Sequence, residues 1–368
     1  MENPFSHSGV VTGEAFCNRK RELKELIYHV SHSQNVLLYS HRRMGKTSLV
    51  HRLIQHLDKQ RPKIKSIYID LYGTIDEKDF IEAVFSGLPQ IETRLDKLLK
   101  LVSGLKLSGS VDPMTGQPSV SVSVEQPDKH NYLDKAMDTL AAYSARQKLL
   151  VVFDEFQEIA GYAEQGFEKR LRSHVQRHAN IAYIFSGSQK HLLSQMFNTT
   201  DRAFYHMATS YPLDRIELHH YADWAQTLFA RKKITLDDGI VNDIVARCEH
   251  QPMYIQQFLF ELWRQEDIRP EVIDAIEFKI LARRENEFVI LWDSLTSNQR
   301  KALRMIAVMG GQGIYSADAL HRFGFKSGSL LKRALTSLSA REIVTKNKTH
   351  HIHDAMLKKW VVLNSQGR

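Results

Sequence analysis

Apolar positions along the chain switch between two spacings, and the switches predict the order of its elements. Short runs that are apolar at nearly every position are typical of parallel strands buried on both faces. Segments with apolar residues three or four positions apart predict amphipathic helices between those runs. The predicted strands are residues 35–38, 64–71, 149–153, 181–185 and 211–218. Strands that alternate with helices indicate an α/β fold with a mostly parallel sheet.

The helices of this first half begin and end at recognisable residues. Asn18 is the predicted N-cap of the first helix, which carries apolar residues as far as position 30. Pro89 should divide residues 76–102 into two helices, because proline cannot continue a helix. The other predicted helices are residues 49–57, 128–144 and 167–178.

Residues 104–126 differ from their surroundings. Two stretches alternate apolar and polar residues and are separated by an Asp-Pro-containing turn, which predicts a β-hairpin inserted into the α/β core. Two interpretations remain open for this hairpin. It either projects to contact a partner or packs as a flap on its own domain, and its few charges argue against a nucleic-acid contact.

The chain after residue 217 is helical, and its last part has a second pattern. Residues 220–288 show helical spacing without strand candidates, as expected for a helical lid. From residue 293 onward, three short helices precede two short strands, at 343–345 and 350–353, which predicts a winged helix-turn-helix. We therefore predict three domains: 1–217 as the α/β core, 218–292 as the lid and 293–368 as the winged helix.

Residues 39–48 carry the clearest chemical motif. They join a predicted strand to a predicted helix and end in Gly-Lys-Thr, the second half of a phosphate-binding loop in which Ser40 replaces the first glycine. Lys46 should reach the β- and γ-phosphates of ATP, and the Thr47 hydroxyl should bind Mg²⁺. The predicted nucleotide-binding residues of the loop are Ser40, Arg42, Arg43, Met44, Gly45, Lys46, Thr47 and Ser48.

A second acidic motif completes the prediction of an ATP site. Asp154 and Glu155 follow a buried apolar strand, so both should emerge at the carboxyl edge of the sheet, where ligands bind in such folds. Asp154 would hold Mg²⁺, and Glu155 would polarise the attacking water. Ser186, at the end of the next strand, is a candidate sensor of the γ-phosphate or a simple turn residue. Arg202 is the leading candidate for an arginine finger and Arg215 the second, with a solvated role as the alternative.

The charge of the chain is concentrated at one end. The total is +8, with 50 Lys and Arg against 42 Asp and Glu, but residues 294–368 alone hold 13 against 3. A basic terminal domain suggests a polyanionic partner such as double-stranded DNA. The residues that could contact DNA from the third helix of that domain are Lys326, Ser327, Ser329, Lys332, Arg333 and Thr336. Use of the winged helix for protein contacts remains an equal alternative.

Other candidate features point to ordinary structure. Cys17 and Cys248 lie far apart and are expected to be buried thiols. Three histidines at positions 350, 351 and 353 could suggest a metal, but alternation along a strand keeps them from sharing one face. Neither a membrane-spanning run nor a signal peptide is evident, so a cytoplasmic protein without a membrane partner is expected.

Taken together, these motifs resemble the archaeal-type ATPase family, in the AAA+/STAND branch of P-loop ATPases. The resemblance is carried by the phosphate loop, by Asp154-Glu155-Phe156-Gln157, and by Phe16, Asn18 and Arg19 near the start. It implies a P-loop core with a lid and a winged helix. It further implies that Val11 and Arg19 border the adenine and that the helix at Pro252 closes over it. The lid turn departs from the family pattern, because His250-Gln251-Pro252 stands where relatives often have Gly-x-Pro.

Three functions are compatible with this sequence. The first is a Mg²⁺-dependent ATP-binding switch with slow hydrolysis, coupled to the winged helix. The second is an ATP-dependent DNA-binding regulator or initiator-like protein. The third is a signalling or defence scaffold of the STAND type that forms homo-oligomers when it binds ATP.

Overall fold

The computed structural model describes residues 2–92, 107–111, 118–122, 129–346 and 348–366. It contains two compact units. One unit is Arg19–Asp214, and the other joins the described residues up to Asn18 with those from Arg215 onward. The N-terminal segment thus packs with the helical half, because Phe5 is buried there among Trp224, Phe229 and Trp263. The division of the chain into three domains stays a prediction.

The unit Arg19–Asp214 is built on a five-stranded sheet in which all neighbouring strands are parallel. Its order is β2-β5-β6-β1-β7. The strands of this unit are β1 Val36–Tyr39, β2 Lys65–Asp70, β3 Leu107–Val111, β4 Pro118–Val122, β5 Leu149–Asp154, β6 Ile181–Gly187 and β7 Thr209–Pro212. Its helices are α1 Lys20–Ser31, α2 Lys46–Lys59, α3 Glu77–Gly87, α4 Lys129–Ser144, α5 Phe167–Arg177 and α6 Lys190–Asn198. The predicted α/β class with a mostly parallel sheet is confirmed.

The sheet topology brings the predicted site together. All six residues of β5 are buried, as are all seven of β6, which fits strands covered on both faces. β6 lies between β5 and β1, so the carboxyl ends of these three strands meet at one edge. The phosphate loop leaves β1 there, and Asp154 ends β5 beside it.

Two predicted boundaries were wrong. The strand predicted at 211–218 is β7, which ends at Pro212 and is followed by a loop to residue 217. The N-cap predicted at Asn18 is Arg19, which takes the left-handed conformation with φ 64°. That conformation accompanies side-chain hydrogen bonds from Arg19 to the distant carbonyls of Met44 and Asp214, which no local pattern reveals.

The hairpin predicted within residues 104–126 is present. β3 and β4 pair antiparallel, with Leu107 opposite Val122 and Val111 opposite Pro118. β4 runs beside α3 of the same unit. α3 ends at Gly87, two residues before Pro89. A Cβ at position 87 would lie only 2.7 Å from the Ile67 side chain on β2, so α3 packs closely against the sheet there. The helix predicted after Pro89, the turn of the hairpin and its outer ends lie outside the described residues.

The other unit contains helices and one small β-ribbon. Its elements are α7 Leu218–Phe229, α8 Asp238–Arg247, α9 Pro252–Leu262, α10 Pro270–Arg283, α11 Glu285–Asp293, α12 Ser297–Met309, α13 Ala317–Arg322, α14 Gly328–Ala340, β8 Val344–Lys346, β9 His350–Ile352 and α15 Ala355–Gln366. Three helices followed by an antiparallel ribbon confirm the predicted winged helix. The sequence pattern missed α15. Cys17 and Cys248 are both buried thiols, as predicted. Within the described part of the chain, no helix is both long and apolar enough to cross a membrane.

Candidate nucleotide-binding site

The phosphate loop turns directly from β1 into α2. Gly45 precedes the helix with φ 82°, a left-handed conformation that side chains with a Cβ seldom adopt. Arg43 is also left-handed, at φ 68°. Lys46 is the first residue of α2, so the unpaired N–H groups and the positive dipole end of the helix point into the loop. This geometry suits a phosphate group.

Lys46 and Asp154 form the centre of the site. The Lys46 ammonium donates to Asp154 Oδ1 at 2.5 Å and to Ser186 Oγ at 3.1 Å, and both of its partners are buried. Ser186 Oγ in turn donates to the same carboxylate oxygen at 2.7 Å. Burial by itself would raise the pKa of Asp154, but Lys46 and the hydroxyl donors around it outweigh burial and lower that pKa. The structure therefore holds a charged carboxylate next to the phosphate loop.

The second oxygen of Asp154 faces two hydroxyl groups. Thr47 Oγ1 lies 3.4 Å from Asp154 Oδ2, and the Tyr68 hydroxyl donates to the same oxygen. Burial, followed by the charge of Asp154, raises the pKa of Tyr68 and keeps its proton in place for donation. The His51 ring lies 4.8 Å from the Tyr68 ring and helps to bury it.

Glu155 is placed by an unusual backbone conformation. Its φ is 49°, which turns its side chain away from the line of β5. Glu155 Oε1 lies 3.7 Å from the Lys46 ammonium. Glu155 Oε2 accepts from Gln157 Nε2 at 2.6 Å and from the Ser188 hydroxyl at 3.1 Å. The acidic side chain is thus oriented by the turn after β5 and by the end of β6.

Arg19 fixes the loop from the other side. It is buried, and its guanidinium donates to the Met44 carbonyl at 3.2 Å, to the Asp214 carbonyl at 2.7 Å and to Glu22 at 2.6 Å. Ser40 is also buried, and its hydroxyl donates to the carbonyl of His41. Both residues shape the backbone of the phosphate loop. The predicted contact of Arg19 with an adenine stays a prediction.

Two family models match separate parts of the chain. The model for an ATPase domain predominantly from Archaea matches residues 16–208. A model described as a probable winged helix domain matches residues 286–362. The chain belongs to the archaeal-type ATPase family. The resemblance noted from the loop and from the Asp154–Gln157 motif is confirmed.

Individual relatives agree with this assignment. An uncharacterized ATP-binding protein of Methanocaldococcus jannaschii is 23% identical over 196 residues, which is 50% of this chain. The match covers 48% of that relative, so the chain spans about half the length of the curated protein it matches. The Walker-type ATPase of Pyrococcus abyssi has a TM-score of 0.68 at 17% identity and covers 97% of this chain and 99% of its own.

Two ORC proteins from Aeropyrum pernix share the fold. The ORC2 protein in its ADP form has a TM-score of 0.56 at 13% identity, covering 99% of this chain and 98% of its own. The ORC1 protein in complex with DNA has a TM-score of 0.51 at 14% identity. The match covers 96% of this chain and 94% of the ORC1 chain. At these identities the likeness concerns the fold.

The oxygen atoms of this ATPase-family site fit a hard divalent cation. Thr47 Oγ1 and Asp154 Oδ2 face each other, and hydroxyl and carboxylate oxygens are the ligands that Mg²⁺ prefers. Oδ1 of Asp154 is held by Lys46 and Ser186, so Oδ2, which also accepts from the Tyr68 hydroxyl, is the carboxylate oxygen on the Thr47 side. Thr47 and Asp154 are therefore the residues that would hold Mg²⁺.

Arg202, the leading candidate for an arginine finger, forms an ion pair within its own unit. Its guanidinium donates to Glu168 at 2.5 Å within the same unit, and the Arg202 side chain is 35% exposed. Burial raises the pKa of Glu168, and Arg202 acts against that rise. The pair joins the start of α5 to the segment after α6. A role for Arg202 or Arg215 on a neighbouring subunit stays a prediction.

The remaining predicted residues belong to the helical unit. Val11 is half-buried, and Pro252 is the first residue of α9. On α14 and the loop before it, Lys326, Ser329, Lys332 and Arg333 are exposed, as a contact surface requires. His350 is buried whereas His351 is exposed, so the histidines of the ribbon do not share a face. Their roles in binding stay predictions.

Three residues of the site were missed by sequence reasoning. Tyr68 lies inside β2, and only the pairing of β2 with β5 brings it to Asp154. Ser188 lies two residues after the predicted sensor Ser186. Because side chains alternate between the two faces of a strand, this spacing could have marked Ser188 as a second candidate. Gln157 was noted only as part of the family motif, although its position two residues after Glu155 was visible.

Proposed function

We propose that the protein binds ATP with Mg²⁺, hydrolyses it slowly and uses the nucleotide state to control its basic winged helix. The observation that carries this proposal is the network that joins Lys46 and Thr47 of the phosphate loop to Asp154 at the end of β5. Glu155 lies next to that network with a carboxylate oxygen near Lys46. A phosphate loop, a cation-binding acid and a second acid at one sheet edge are the parts that phosphoryl transfer to water needs.

Each of these residues has a distinct task in the proposed reaction. The N–H groups at the start of α2 bind the phosphates, and Lys46 exchanges its contact with Asp154 for the β- and γ-phosphates. A bound Mg²⁺ would neutralise part of the phosphate charge. Glu155 orients the attacking water and accepts its proton. Ser186 contacts both Lys46 and Asp154, which supports its proposed role in sensing when that contact changes.

The test compares nucleotide binding with turnover in two variants. Lys46→Ala should weaken ATP binding at least tenfold, because the phosphates lose their cationic partner. Glu155→Gln should bind ATP normally and hydrolyse it about 100-fold more slowly or worse. Lys59→Ala, an exposed lysine at the end of the same helix, is the control and should change neither. Binding without any turnover in the wild type would refute hydrolysis, and an absence of binding would refute the whole proposal.

Contacts within the helical unit support the coupling to the winged helix. Gln251, next to Pro252, donates to the carbonyl of His353 at 2.6 Å. Tyr254 on α9 donates to Asp354 at 2.6 Å, and Asp354 accepts the backbone N–H groups that begin α15. The family resemblance implies that the Pro252 turn closes over the nucleotide, and the proposal adopts this expectation. A displacement of that turn would therefore be passed directly to the winged-helix end of the unit.

DNA is the proposed ligand of the winged helix. The exposed basic residues of α14 favour it, and so does the A. pernix ORC1 protein, which shares the fold and is in complex with DNA. Contacts of Lys and Arg with phosphates release counterions, so the affinity should fall steeply with salt.

Charge reversal on α14 tests DNA binding. Lys332→Glu with Arg333→Glu should abolish salt-sensitive binding to duplex DNA, measured by fluorescence anisotropy over a salt series. Arg21→Glu with Lys24→Glu makes the same charge change on the exposed face of α1 and is the matched control. Equal binding by the α14 variant and the wild type would refute a DNA contact through this helix and leave a protein ligand as the alternative.

A further inference from the structure

We infer that Gln157 is a positioning residue for ATP hydrolysis: together with Ser188 it holds the Glu155 carboxylate in the orientation that acts on the attacking water. The inference rests on the proposed ATPase function and deepens it. It concerns a side chain that the proposed reaction does not otherwise use.

The two oxygen atoms of Glu155 have different surroundings. Oε2 accepts three hydrogen bonds, from Gln157 Nε2 at 2.6 Å, from the Ser188 hydroxyl at 3.1 Å and from the Ser188 backbone N–H at 3.3 Å. Oε1 instead faces the Lys46 ammonium at 3.7 Å. One oxygen is thus saturated by fixed donors, and the other is directed toward the phosphate-binding loop. A carboxylate held in this way cannot rotate without breaking several hydrogen bonds.

Gln157 is itself held firmly. It is 3% exposed, and the preceding residue Phe156 is fully buried against Phe185 and Phe204 at ring distances of 4.6 Å and 5.1 Å. Gly187 lies directly beside the amide, where a Cβ would overlap Gln157 Oε1. The glycine therefore makes the space that lets the amide reach Glu155.

The amide oxygen of Gln157 indicates that the side chain is not held in place by a full set of hydrogen bonds. Gln157 Oε1 is buried and has no hydrogen-bond partner among the residues that the structure describes. A buried unpaired acceptor is unfavourable for stability. The fold tolerates it while directing Nε2 to Glu155, which points to a role through Glu155.

The orientation matters for a defined step. The water oxygen forms a bond to the γ-phosphorus while the bond between that phosphorus and the bridging oxygen breaks. The electron pair of the broken bond stays on the bridging oxygen, which leaves as part of ADP. The proton of the water passes to Glu155 and then to the released phosphate. A general base must lie within hydrogen-bond reach of that proton, and misplacement by about 1 Å can reduce the rate about 100-fold.

The experiment separates turnover from binding. Gln157→Leu keeps the approximate size of the side chain and removes the donor. We expect kcat to fall about 10- to 100-fold, with KM and the Kd for ATP within twofold of the wild type. Ser188→Ala removes one donor and keeps the backbone N–H, so its kcat should fall less. Gln195→Leu, an exposed glutamine on α6, is the matched control and should leave kcat unchanged.

A combined variant shows whether Gln157 acts through Glu155. In the Glu155→Gln background, Gln157→Leu should change the residual single-turnover rate less than twofold, because the side chain it positions is already disabled. A purely structural role would instead lower the rate by the same factor in both backgrounds. Should Gln157→Leu fail to fold, Ser188→Ala in the two backgrounds gives the same comparison.

The outcomes distinguish this inference from the proposed function. Normal kcat in Gln157→Leu, or equal losses in both backgrounds, would overturn the positioning role while wild-type hydrolysis upheld the proposed function. Wild-type protein that binds ATP without hydrolysing it would overturn both.

Discussion

Burial and close partners set the charge state of individual ionisable residues in this protein. His178 is an example outside the nucleotide site. Its Nδ1 and the Tyr183 hydroxyl share a hydrogen bond of 2.6 Å. Burial first, and then His174 and Arg177, lower the pKa of His178 to about 4. The ring therefore stays neutral in the folded protein at pH values where an exposed histidine is protonated.

This shift predicts how stability depends on pH. Unfolded chains take up the proton near pH 6.5, but the folded protein does so only near pH 4, so stability should fall as pH decreases from 6.5 to about 4. The loss should be about 1–2 kcal/mol, allowing for the partial exposure of the ring. Urea unfolding at several pH values measures it.

The His178→Gln variant isolates this contribution, because its amide can still form a hydrogen bond with Tyr183 and cannot titrate. Its stability should decline less with falling pH than that of the wild type. His191→Gln, an exposed histidine on α6, is the control. Parallel pH curves for the wild type and His178→Gln would contradict the assignment.

At the level of elements, one ion pair joins α3 to α5. Glu77, in the first turn of α3, is fully buried, and the Arg170 guanidinium on α5 donates to both of its oxygens. The two helices cover the same side of the hydrophobic core, where Phe80 and Phe167 pack at 5.2 Å. The pair thus fixes how these helices lie on the sheet.

Removal of one partner should be far more damaging than removal of both. Arg170→Met leaves a buried carboxylate without a counterion and should reduce the free energy of unfolding by about 3–5 kcal/mol. Combining it with Glu77→Leu should restore most of that loss. Lys78→Met removes an exposed pair with Glu82 and should change stability by less than about 1 kcal/mol. Chemical denaturation of the four proteins tests this, and equal losses in the single and double variants would contradict it.

At the scale of the molecule, the helical lid segment and the winged helix share one compact unit. Asp354 is the residue where they meet, because Tyr254 and Arg284 from the helical segment both donate to its carboxylate. Lys358 on α15 forms an ion pair with Glu249, in the turn that precedes Pro252. These contacts are the route that we propose for nucleotide control of the winged helix.

Tyr254→Phe should weaken that control. ATP should still bind with unchanged affinity, whereas the ratio of DNA affinities with and without ATP should shrink by about threefold to tenfold. Tyr28→Phe, an exposed tyrosine on α1, is the control. Fluorescence anisotropy with labelled DNA, repeated with and without an ATP analogue, gives the ratio. An unchanged ratio in Tyr254→Phe would show that coupling takes another route.

The sequence by itself determined what depends on near neighbours. Apolar spacing located most strands and helices, since burial on one or both faces imposes a period that is visible in the chain. The Gly45-Lys46-Thr47 turn and the Asp154-Glu155 pair were visible because each sits at the junction of a buried strand and the turn that follows it. Proline positions also marked helix boundaries, as at Pro89 and Pro252.

Tertiary structure decided which side chains meet. Tyr68 reaches Asp154 only because β2 pairs with β5, and Ser188 reaches Glu155 only because β6 lies beside β5. Strand order and register are properties of the whole sheet, and no local pattern encodes them. The same holds for Gln157, whose amide reaches Glu155 because Gly187, thirty residues away in the chain, leaves the space for it.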